Sequence, residues 1–218
     1  MSDLHILIPA AGRSTRFAAQ GYTTPKPFLQ IRDRNGVSKR MVDHVADSAP
    51  IGLTHILYPA GAPDSSGQAE SVLILVNQVL DQLDDARVLV LDCDMVLPRA
   101  VLIVLEKVLS VYSMSVAVAE TFDPNASRID SFPFPRVFAE KQPIGKWGIV
   151  GARAFRSARN LKTALEYTIS VAKRTGSEPY ISEAMNYYPG TAVAIPTDDF
   201  QDWGTPERVA ASGATIVS

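Results

Sequence analysis

The stretch LHILIPAAGRSTRF, residues 4–17, runs from an apolar segment into a glycine turn. Leu4 to Pro9 has strand character, and Gly12 lets the backbone turn sharply and approach a ligand because it has no Cβ. Backbone N–H groups in such a turn point at anions, and arginine grips phosphate oxygens bidentately. An ordinary glycine turn with solvated basic side chains is the alternative. Three cations surround the turn, which predicts a phosphate cradle: Arg13, Arg16 and Lys26.

Strand-like and helix-like runs alternate along the rest of the chain. The strand-like runs are residues 4–9, 54–59, 87–91, 115–119, 136–140 and 191–195, and the helix-like runs are residues 38–49, 71–83, 98–112 and 160–174. This alternation favours an α/β domain with a mainly parallel sheet. Ligands of such sheets bind beyond the carboxyl ends of the strands. The glycine turn and the segment LDCD (residues 91–94) both follow predicted strands, so they can share one crevice.

The composition is that of an ordinary globular protein, with 46% hydrophobic and 20% charged residues among 218. The formal net charge of −2 argues against a nucleic-acid surface, and no apolar run approaches the ~20 residues of a membrane span. We expect no signal peptide, because the N-terminus lacks a basic region followed by an apolar core. The single cysteine, Cys93, excludes an internal disulfide and favours a cytoplasmic location. The three histidines lack metal-ligand spacing, which favours packing roles.

Two aspartates, Asp92 and Asp94, follow the third predicted strand. On extended backbone they point to one face of the strand and Cys93 points to the other. Two carboxylates on one face repel unless a cation lies between them, and a magnesium ion bound to carboxylate and substrate phosphates would remove that repulsion. The alternative is a strand-end turn in which Asp92 caps the backbone. We prefer this alternative for Asp92.

Five segments, in this order, resemble the signature of the sugar nucleotidyltransferases, the pyrophosphorylases that make nucleotide sugars. They are AAGR with the following PKP (residues 10–27), GQAESVL (67–73), LDCD (91–94), AEKQPI (139–144) and QDWGTPE (201–207). The resemblance spans most of the chain. It implies a single Rossmann-like (GT-A type) domain over residues 1–218, with a mainly parallel mixed sheet flanked by helices. It also implies a nucleotide-binding part at about 1–113 and an acceptor-binding part at about 114–218.

The resemblance implies nucleotidyl transfer, in which a sugar 1-phosphate attacks the α-phosphorus of a nucleoside triphosphate and releases pyrophosphate. Arg16 would stabilise the leaving pyrophosphate, Lys26 the α-phosphate and Lys141 the acceptor phosphate. Asp94, also assigned to catalysis, would hold Mg²⁺ together with Asp202. The implied nucleotide-binding residues are Ala10, Ala11, Gly12, Arg13, Ser14, Gly67 and Gln68. The implied acceptor-binding residues are Glu140, which matches a residue that hydrogen-bonds sugar hydroxyls, Lys141 and Gly151.

The chain departs from the family pattern at two places. Only residues 51–66 separate the first long helix from GQAESVL, so the wall beside the base is trimmed and we expect a pyrimidine triphosphate to be preferred, with Gln68 among the few polar contacts. Arg13 and Ser14 stand where many relatives carry smaller residues or glycine, which is expected to alter the seating of the triphosphate.

Other interpretations remain open at the level of sequence. A glycosyltransferase of the same fold type would also use an Asp-x-Asp motif for metal, although PKP and the Glu-Lys element argue against it. A non-catalytic nucleotide-sugar-binding protein is a third class. Glu140 and Lys141 can also be interpreted as a solvated charge pair on an edge strand, and the proline-rich stretch 124–143 as a surface hairpin more readily than a binding lid. A homo-oligomer is compatible with the sequence.

Overall fold

The computed structural model describes residues 4–12, 14–58 and 67–217. Arg13 and residues 59–66, which make up half of the shortened segment, lie outside the described residues, and what was predicted for them stays a prediction. Within the described part of the chain, no helix combines the length and the apolar character that crossing a membrane requires.

The strands of the described chain are named in sequence order. They are β1 (Leu4–Pro9), β2 (Gln30–Arg32), β3 (Ser38–Arg40), β4 (Leu53–Leu57), β5 (Arg87–Leu91), β6 (Met95–Val96), β7 (Met114–Glu120), β8 (Arg128–Ile129), β9 (Phe138–Ala139), β10 (Trp147–Phe155), β11 (Ala192–Pro196), β12 (Gln201–Asp202) and β13 (Thr215–Val217). The α-helices are α1 (Thr15–Ala18), α2 (Met41–Ser48), α3 (Gln68–Leu80), α4 (Arg99–Lys107), α5 (Ala158–Thr175), α6 (Ile181–Ala184) and α7 (Pro206–Ala211).

The central sheet has the strand order β11-β7-β10-β5-β1-β4. Strand β1 pairs in parallel with β4 and β5, and β7 pairs in parallel with β11. Strand β10 is antiparallel to both of its neighbours, β5 and β7. The predicted α/β class and the mainly parallel, mixed sheet are therefore confirmed. Strand β10 itself was missed, because two glycines and one arginine in WGIVGARAF interrupt its apolar pattern.

Both faces of the sheet are buried under helices, because alternate side chains of β1 pack into two different core clusters. Leu7 packs into a core cluster with α3 and α5, whereas Ile6 and Ile8 pack into a second cluster with α2 and α4. Successive strand residues point to opposite faces, and helices that cover both faces are typical of parallel sheets. The polar residues that follow such strands are consequently placed at the rim, where the sheet meets solvent.

The long helix α5 covers the predicted run 160–174 and begins two residues before it, at Ala158. The Ser157 side chain accepts a hydrogen bond from the backbone N–H of Asn160, and Gly176 ends the helix with a left-handed φ of 70°. Two other predictions were wrong at their boundaries. Residues 38–40 form strand β3, which pairs with β2, and the helix starts only at Met41. The run 136–140 shortens to β9, which pairs with β8 as a hairpin and so confirms a hairpin in the proline-rich stretch.

Candidate active site

A cavity of about 820 Å³ opens beyond the carboxyl ends of β1, β5 and β7. Its volume lies in the range of small-molecule sites. The wall includes Pro9 at the end of β1, and Ala119 and Glu120 at the end of β7. The structure brings many of the sequence-predicted site residues to this wall: Gly12, Ser14, Arg16, Lys26, Gln68, Asp94, Glu140, Lys141 and Asp202.

The glycine turn is tied to the PKP triplet by Ser14. Ser14 takes a left-handed conformation (φ 54°, ψ 26°) before the short helix that carries Arg16. Its hydroxyl accepts a hydrogen bond from the Lys26 backbone N–H at 2.8 Å and lies 3.4 Å from the Gly12 carbonyl oxygen, to which it donates. A methyl group at Gly12 would meet no atom of the described residues within 4 Å, so among these residues the space in front of this turn is open to a ligand. Ala10 and Ala11 are buried behind it.

Lys26 and Asp94 form an ion pair inside the cavity. Lys26 Nζ lies 2.7 Å from Asp94 Oδ2, and each side chain is 20% exposed. Burial disfavours the charged form of each group. For Lys26, the attraction and hydrogen bond of the Asp94 carboxylate outweigh the effect of burial and raise its pKa. Burial likewise opposes ionisation of Asp94, and Lys26 outweighs it, so that the pKa of Asp94 is lowered. Both members of the pair are therefore charged at neutral pH, and Lys26 lies next to the carboxylate for which metal binding was predicted.

Asp202 comes from a distant segment and is brought beside Asp94 by backbone pairing. Strand β12 pairs with β6, which sets Asp202 opposite Met95, and the Trp203 N–H donates to the Asp94 carbonyl oxygen at 2.8 Å. A methyl group at Gly204 would lie 3.1 Å from Asp202 Oδ1 and 3.5 Å from Asp94 Oδ2. Both carboxylates therefore face the same small space, which the sequence resemblance predicted for them.

The donor set of these two aspartates fits magnesium. In the described residues, no cluster of three or more His, Cys, Asp or Glu side chains is arranged to hold a metal ion. Magnesium, however, is usually held by one or two carboxylates, with waters and substrate phosphates as the remaining ligands. Asp94 and Asp202 supply hard oxygen donors of that kind at the cavity wall.

Asp92 has side-chain partners, and its predicted role as a backbone cap is wrong. Its Oδ1 accepts hydrogen bonds from Gln68 Nε2 at 2.6 Å and from Arg153 Nη1 at 3.0 Å. Arg153 on β10 is only 3% exposed, and its Nε has no hydrogen-bond partner among the described residues. Asp92 thus neutralises a buried cation and orients the Gln68 amide. Sequence reasoning missed Arg153, although a charged residue inside an apolar strand was a signal for it.

Strand β10 closely approaches the loop 92–95, which carries Asp92 and Asp94, at Gly151. This glycine has a left-handed φ of 64°, and a Cβ there would lie 2.3 Å from the Met95 Cβ. Its carbonyl oxygen accepts the Asp92 N–H at 2.8 Å. Gly151 therefore packs beneath the loop and is not part of the cavity wall, and its predicted contribution to acceptor binding stays a prediction.

Glu140, at the cavity wall, is fixed by two serine hydroxyls. Its Oε2 accepts hydrogen bonds from Ser127 and, at 2.9 Å, from Ser182. Ser182 is buried on helix α6, and nothing in the motif around Glu140 indicates it. The arrangement leaves the second carboxylate oxygen, Oε1, for a ligand. The alternative of a freely solvated charge pair does not describe Glu140.

Lys141 is held by an aromatic side chain that the sequence analysis did not single out. Its Nζ donates to the Tyr180 hydroxyl at 2.6 Å and lies 4.6 Å from the centre of the ring. The Tyr180 hydroxyl donates in turn to Glu178. The hydrogen bond of Lys141 with Tyr180 raises the pKa of Lys141, so its ammonium group stays charged. Lys141 also has a left-handed φ of 53°, which is uncommon for a residue with a Cβ.

The segment that carries Tyr180 also contacts GQAESVL (67–73), the segment with the implied nucleotide-binding residues Gly67 and Gln68. The Ala69 N–H donates to the Pro179 carbonyl oxygen at 3.1 Å. A methyl group at Gly67 would lie 2.8 Å from that oxygen and 2.9 Å from Glu178 Cγ. Glycine is therefore required for this close approach, and the two sides of the cavity are joined by it.

Comparisons with known proteins agree with this architecture. No family model and no curated protein matches the chain. Among solved structures, the nucleoside-diphosphate-sugar pyrophosphorylase from Vibrio cholerae RC9 matches with a TM-score of 0.75 and 18% identity, over 95% of this chain and 99% of that one. The chain has the fold of the nucleotide-sugar pyrophosphorylases.

Two further structures are similar and were solved with nucleotides. The UTP-bound UGPase from Acinetobacter baumannii matches with a TM-score of 0.69 and 14% identity, over 98% of this chain and 92% of that one. A UDP-glucose pyrophosphorylase complexed with UDP-glucose matches with a TM-score of 0.70 and 12% identity, over 98% of this chain and 97% of that one. The predicted resemblance is confirmed at the level of the fold.

Proposed function

We propose that the protein is a nucleotidyltransferase that joins a nucleoside triphosphate to a sugar 1-phosphate, or a similar phosphorylated acceptor, and releases pyrophosphate. One observation carries the proposal: charged and polar side chains from the five motif segments meet in one cavity, on a fold found in nucleotide-sugar pyrophosphorylases. The nucleotide would lie on the side of the glycine turn, and the acceptor on the side of Glu140 and Lys141.

The chemistry requires positioning more than acid–base catalysis. A phosphate monoester is already nucleophilic, so the barrier comes from bringing two anions together in line and from the charge that shifts to the leaving group. Arg16 and Lys26 would meet that charge as preorganised cations. Lys26 is suited to this role because its contact with Asp94 fixes its position. Magnesium held by Asp94 and Asp202 would supply charge neutralisation on the phosphates.

The acceptor would be recognised by groups that are already in place. Glu140 offers Oε1 to a sugar hydroxyl, because Oε2 is taken by the two serines. Lys141 offers charge to the acceptor phosphate while Tyr180 limits the movement of its side chain. Such preorganisation lowers the entropy cost of binding.

We further propose a preference for pyrimidine triphosphates. An ionised carboxylate only accepts hydrogen bonds, so Gln68 must turn its amide nitrogen toward Asp92. Its carbonyl oxygen and its second amide hydrogen remain for a base. Few polar groups lie beside the base, so the Gln68 amide is expected to select among bases. A base without the matching group would leave the amide without a hydrogen-bond partner. We also propose a cytoplasmic location, which the single cysteine favours, and a homo-oligomer is compatible with the sequence.

The proposal is tested by measuring whether the protein releases pyrophosphate from a nucleoside triphosphate only when an acceptor is present. UTP, CTP, dTTP, ATP and GTP would each be combined with sugar 1-phosphates and phosphocholine in the presence of Mg²⁺. Asp94→Asn is expected to abolish turnover, and Asp199→Asn, at an exposed ion pair with Arg34, is the matched control.

Four results would contradict parts of the proposal. Absence of pyrophosphate with every pair would refute the transferase function, and release of nucleoside diphosphate from a nucleotide sugar would indicate a glycosyltransferase. A purine preference would refute the inference from Gln68. Full activity of Asp94→Asn in magnesium would refute the metal assignment.

A further inference from the structure

Arg208 bridges two carboxylates at the cavity wall. Its Nη1 donates to Asp202 Oδ2 at 2.7 Å, and its Nη2 donates to Asp123 Oδ2. The other oxygen of Asp202, Oδ1, accepts the Gly204 N–H at 2.9 Å. A methyl group at Gly204 would lie 3.9 Å from Arg208 Nη1 and 3.5 Å from Asp94 Oδ2. The guanidinium therefore lies beside the two carboxylates that fit a divalent cation.

Asp123 is anchored independently of Arg208. Its Oδ1 accepts the Asn125 N–H at 2.9 Å, which leaves Oδ2 for the guanidinium. The backbone around it is held by Arg128, a buried residue that donates to the carbonyl oxygens of Asp123 and Thr121, both at 2.9 Å. Asp123 would consequently remain in place if Arg208 released Asp202.

We propose that Arg208 is a displaceable counter-ion, which neutralises Asp202 until a divalent cation binds and is then held by Asp123 alone. Two cations at one carboxylate repel each other, so Arg208 weakens the binding of a free divalent ion. Asp123 offsets part of that penalty because it keeps the displaced guanidinium paired. The inference rests on the proposed function for the choice of Asp94 and Asp202 as the ligands of the ion and for the triphosphate that would arrive with it.

The consequence is a site that discriminates against a lone metal ion. A divalent ion that arrives with triphosphate oxygens brings additional ligands, and these make up for the displacement of Arg208. A free ion lacks them. The charge of the Arg208 guanidinium thus couples binding of the metal ion to binding of the nucleotide. Before the ion binds, the guanidinium stays paired with Asp202 and Asp123.

Mn²⁺ alone is the probe, and its binding to the full-length chain without nucleotide is measured from the electron paramagnetic resonance signal of the free ion. Arg208→Gln is expected to bind Mn²⁺ about tenfold more tightly than the wild type. Arg34→Gln makes the same charge change at an exposed ion pair with Asp199 and is expected to bind as the wild type does. Asp123→Asn is expected to bind more weakly, because the displaced guanidinium loses its second anchor.

The double variant separates this handover from a simple effect of charge. In the Arg208→Gln background, Asp123→Asn is expected to change Mn²⁺ affinity by less than about twofold. An undiminished effect of Asp123→Asn in that background, or unchanged affinity of Arg208→Gln, would overturn the proposal. Circular dichroism establishes that each variant is folded, and Arg208→Met replaces Arg208→Gln if the latter is not.

Failure of this inference can be told apart from failure of the proposed function. If wild-type protein releases pyrophosphate but Arg208→Gln binds Mn²⁺ no more tightly, the counter-ion role is refuted and the function stands. If the expected Mn²⁺ pattern appears without any pyrophosphate release, the counter-ion role stands and the function is refuted.

Discussion

Replacing Asp92 is expected to destabilise the fold by stranding the buried charge of Arg153. The Arg153 side chain is 3% exposed and that of Asp92 is 19% exposed, so the cation depends on the pair more than the carboxylate does. In the described residues, Asp92 is its one ion-pair partner, and Arg153 Nε has no partner there. Asp92→Asn keeps an acceptor oxygen but removes the neutralising charge.

The size of the effect follows from this asymmetry. Removing one partner of a buried ion pair costs about 3–5 kcal/mol, and the retained acceptor and the partial exposure of residue 92 point to the lower end. For a chain of this length, about 3 kcal/mol corresponds to a decrease of about 6–12 °C in the melting temperature. Arg153→Met strands only the more exposed carboxylate and is expected to cost about 1–2 kcal/mol.

Differential scanning calorimetry of three variants checks the reasoning. Asp92→Asn is expected to melt lower than Arg153→Met, and the double variant is expected to melt higher than Asp92→Asn because no charge is left stranded. A decrease of less than about 2 °C for Asp92→Asn, or a double variant that melts below it, would refute the account of the pair.

Three further predictions concern the site. Ser182→Ala removes the 2.9 Å hydrogen bond to Glu140 and is expected to raise the acceptor KM about five- to tenfold with an unchanged triphosphate KM, so steady-state kinetics showing equal changes in both would contradict it. Lys26→Met is expected to lower turnover roughly a hundredfold or more and to change triphosphate affinity less, as calorimetry can show; lost affinity with unchanged turnover would make Lys26 a simple binding residue. The pKa of Asp94 is lowered and that of Lys26 raised, so the stability from this pair is lost as pH falls through the lowered pKa or rises through the raised one. The difference in melting temperature between wild type and Asp94→Asn is therefore expected to be constant from about pH 6 to about pH 9, and a titration inside that window would refute these directions.

The parts of the fold that the sequence predicts are those whose pattern is local. Strands β1 and β5 are continuous apolar runs, and α5 carries its own cap and its own terminating glycine. The missed strand β10 is interrupted at Gly151, where the register shifts between Ile149 and Arg153. Its pairing is set by distant strands on both sides, which no window of sequence contains. Strand β3 is a second example. Its residues belong to a helix-like run, but they form a strand because they pair with β2.

The residues of the site also differ in whether the sequence predicts them. Asp94 and Asp202 belong to recognisable segments, and backbone pairing of β6 with β12 brings them together as expected. Most partners of the site residues could not be predicted, because they come from far away in the chain. Arg153 is 61 positions from Asp92, and Arg208 is 85 positions from Asp123, although only six from Asp202. Motifs indicate which atoms face a ligand, whereas the residues that hold those atoms are chosen by the fold.

The position of β10 has a consequence for how the chain can be divided. Strand β5 pairs with β1 on one side and with β10 on the other, so a fragment ending near residue 113 would carry β5 with one bare edge. Bare apolar edges recruit strands from other molecules and aggregate. The two parts of the chain are thus expected to be inseparable as expressed fragments even if they bind different substrates. Inserted sequence would be tolerated better at the exposed turn around Gly36.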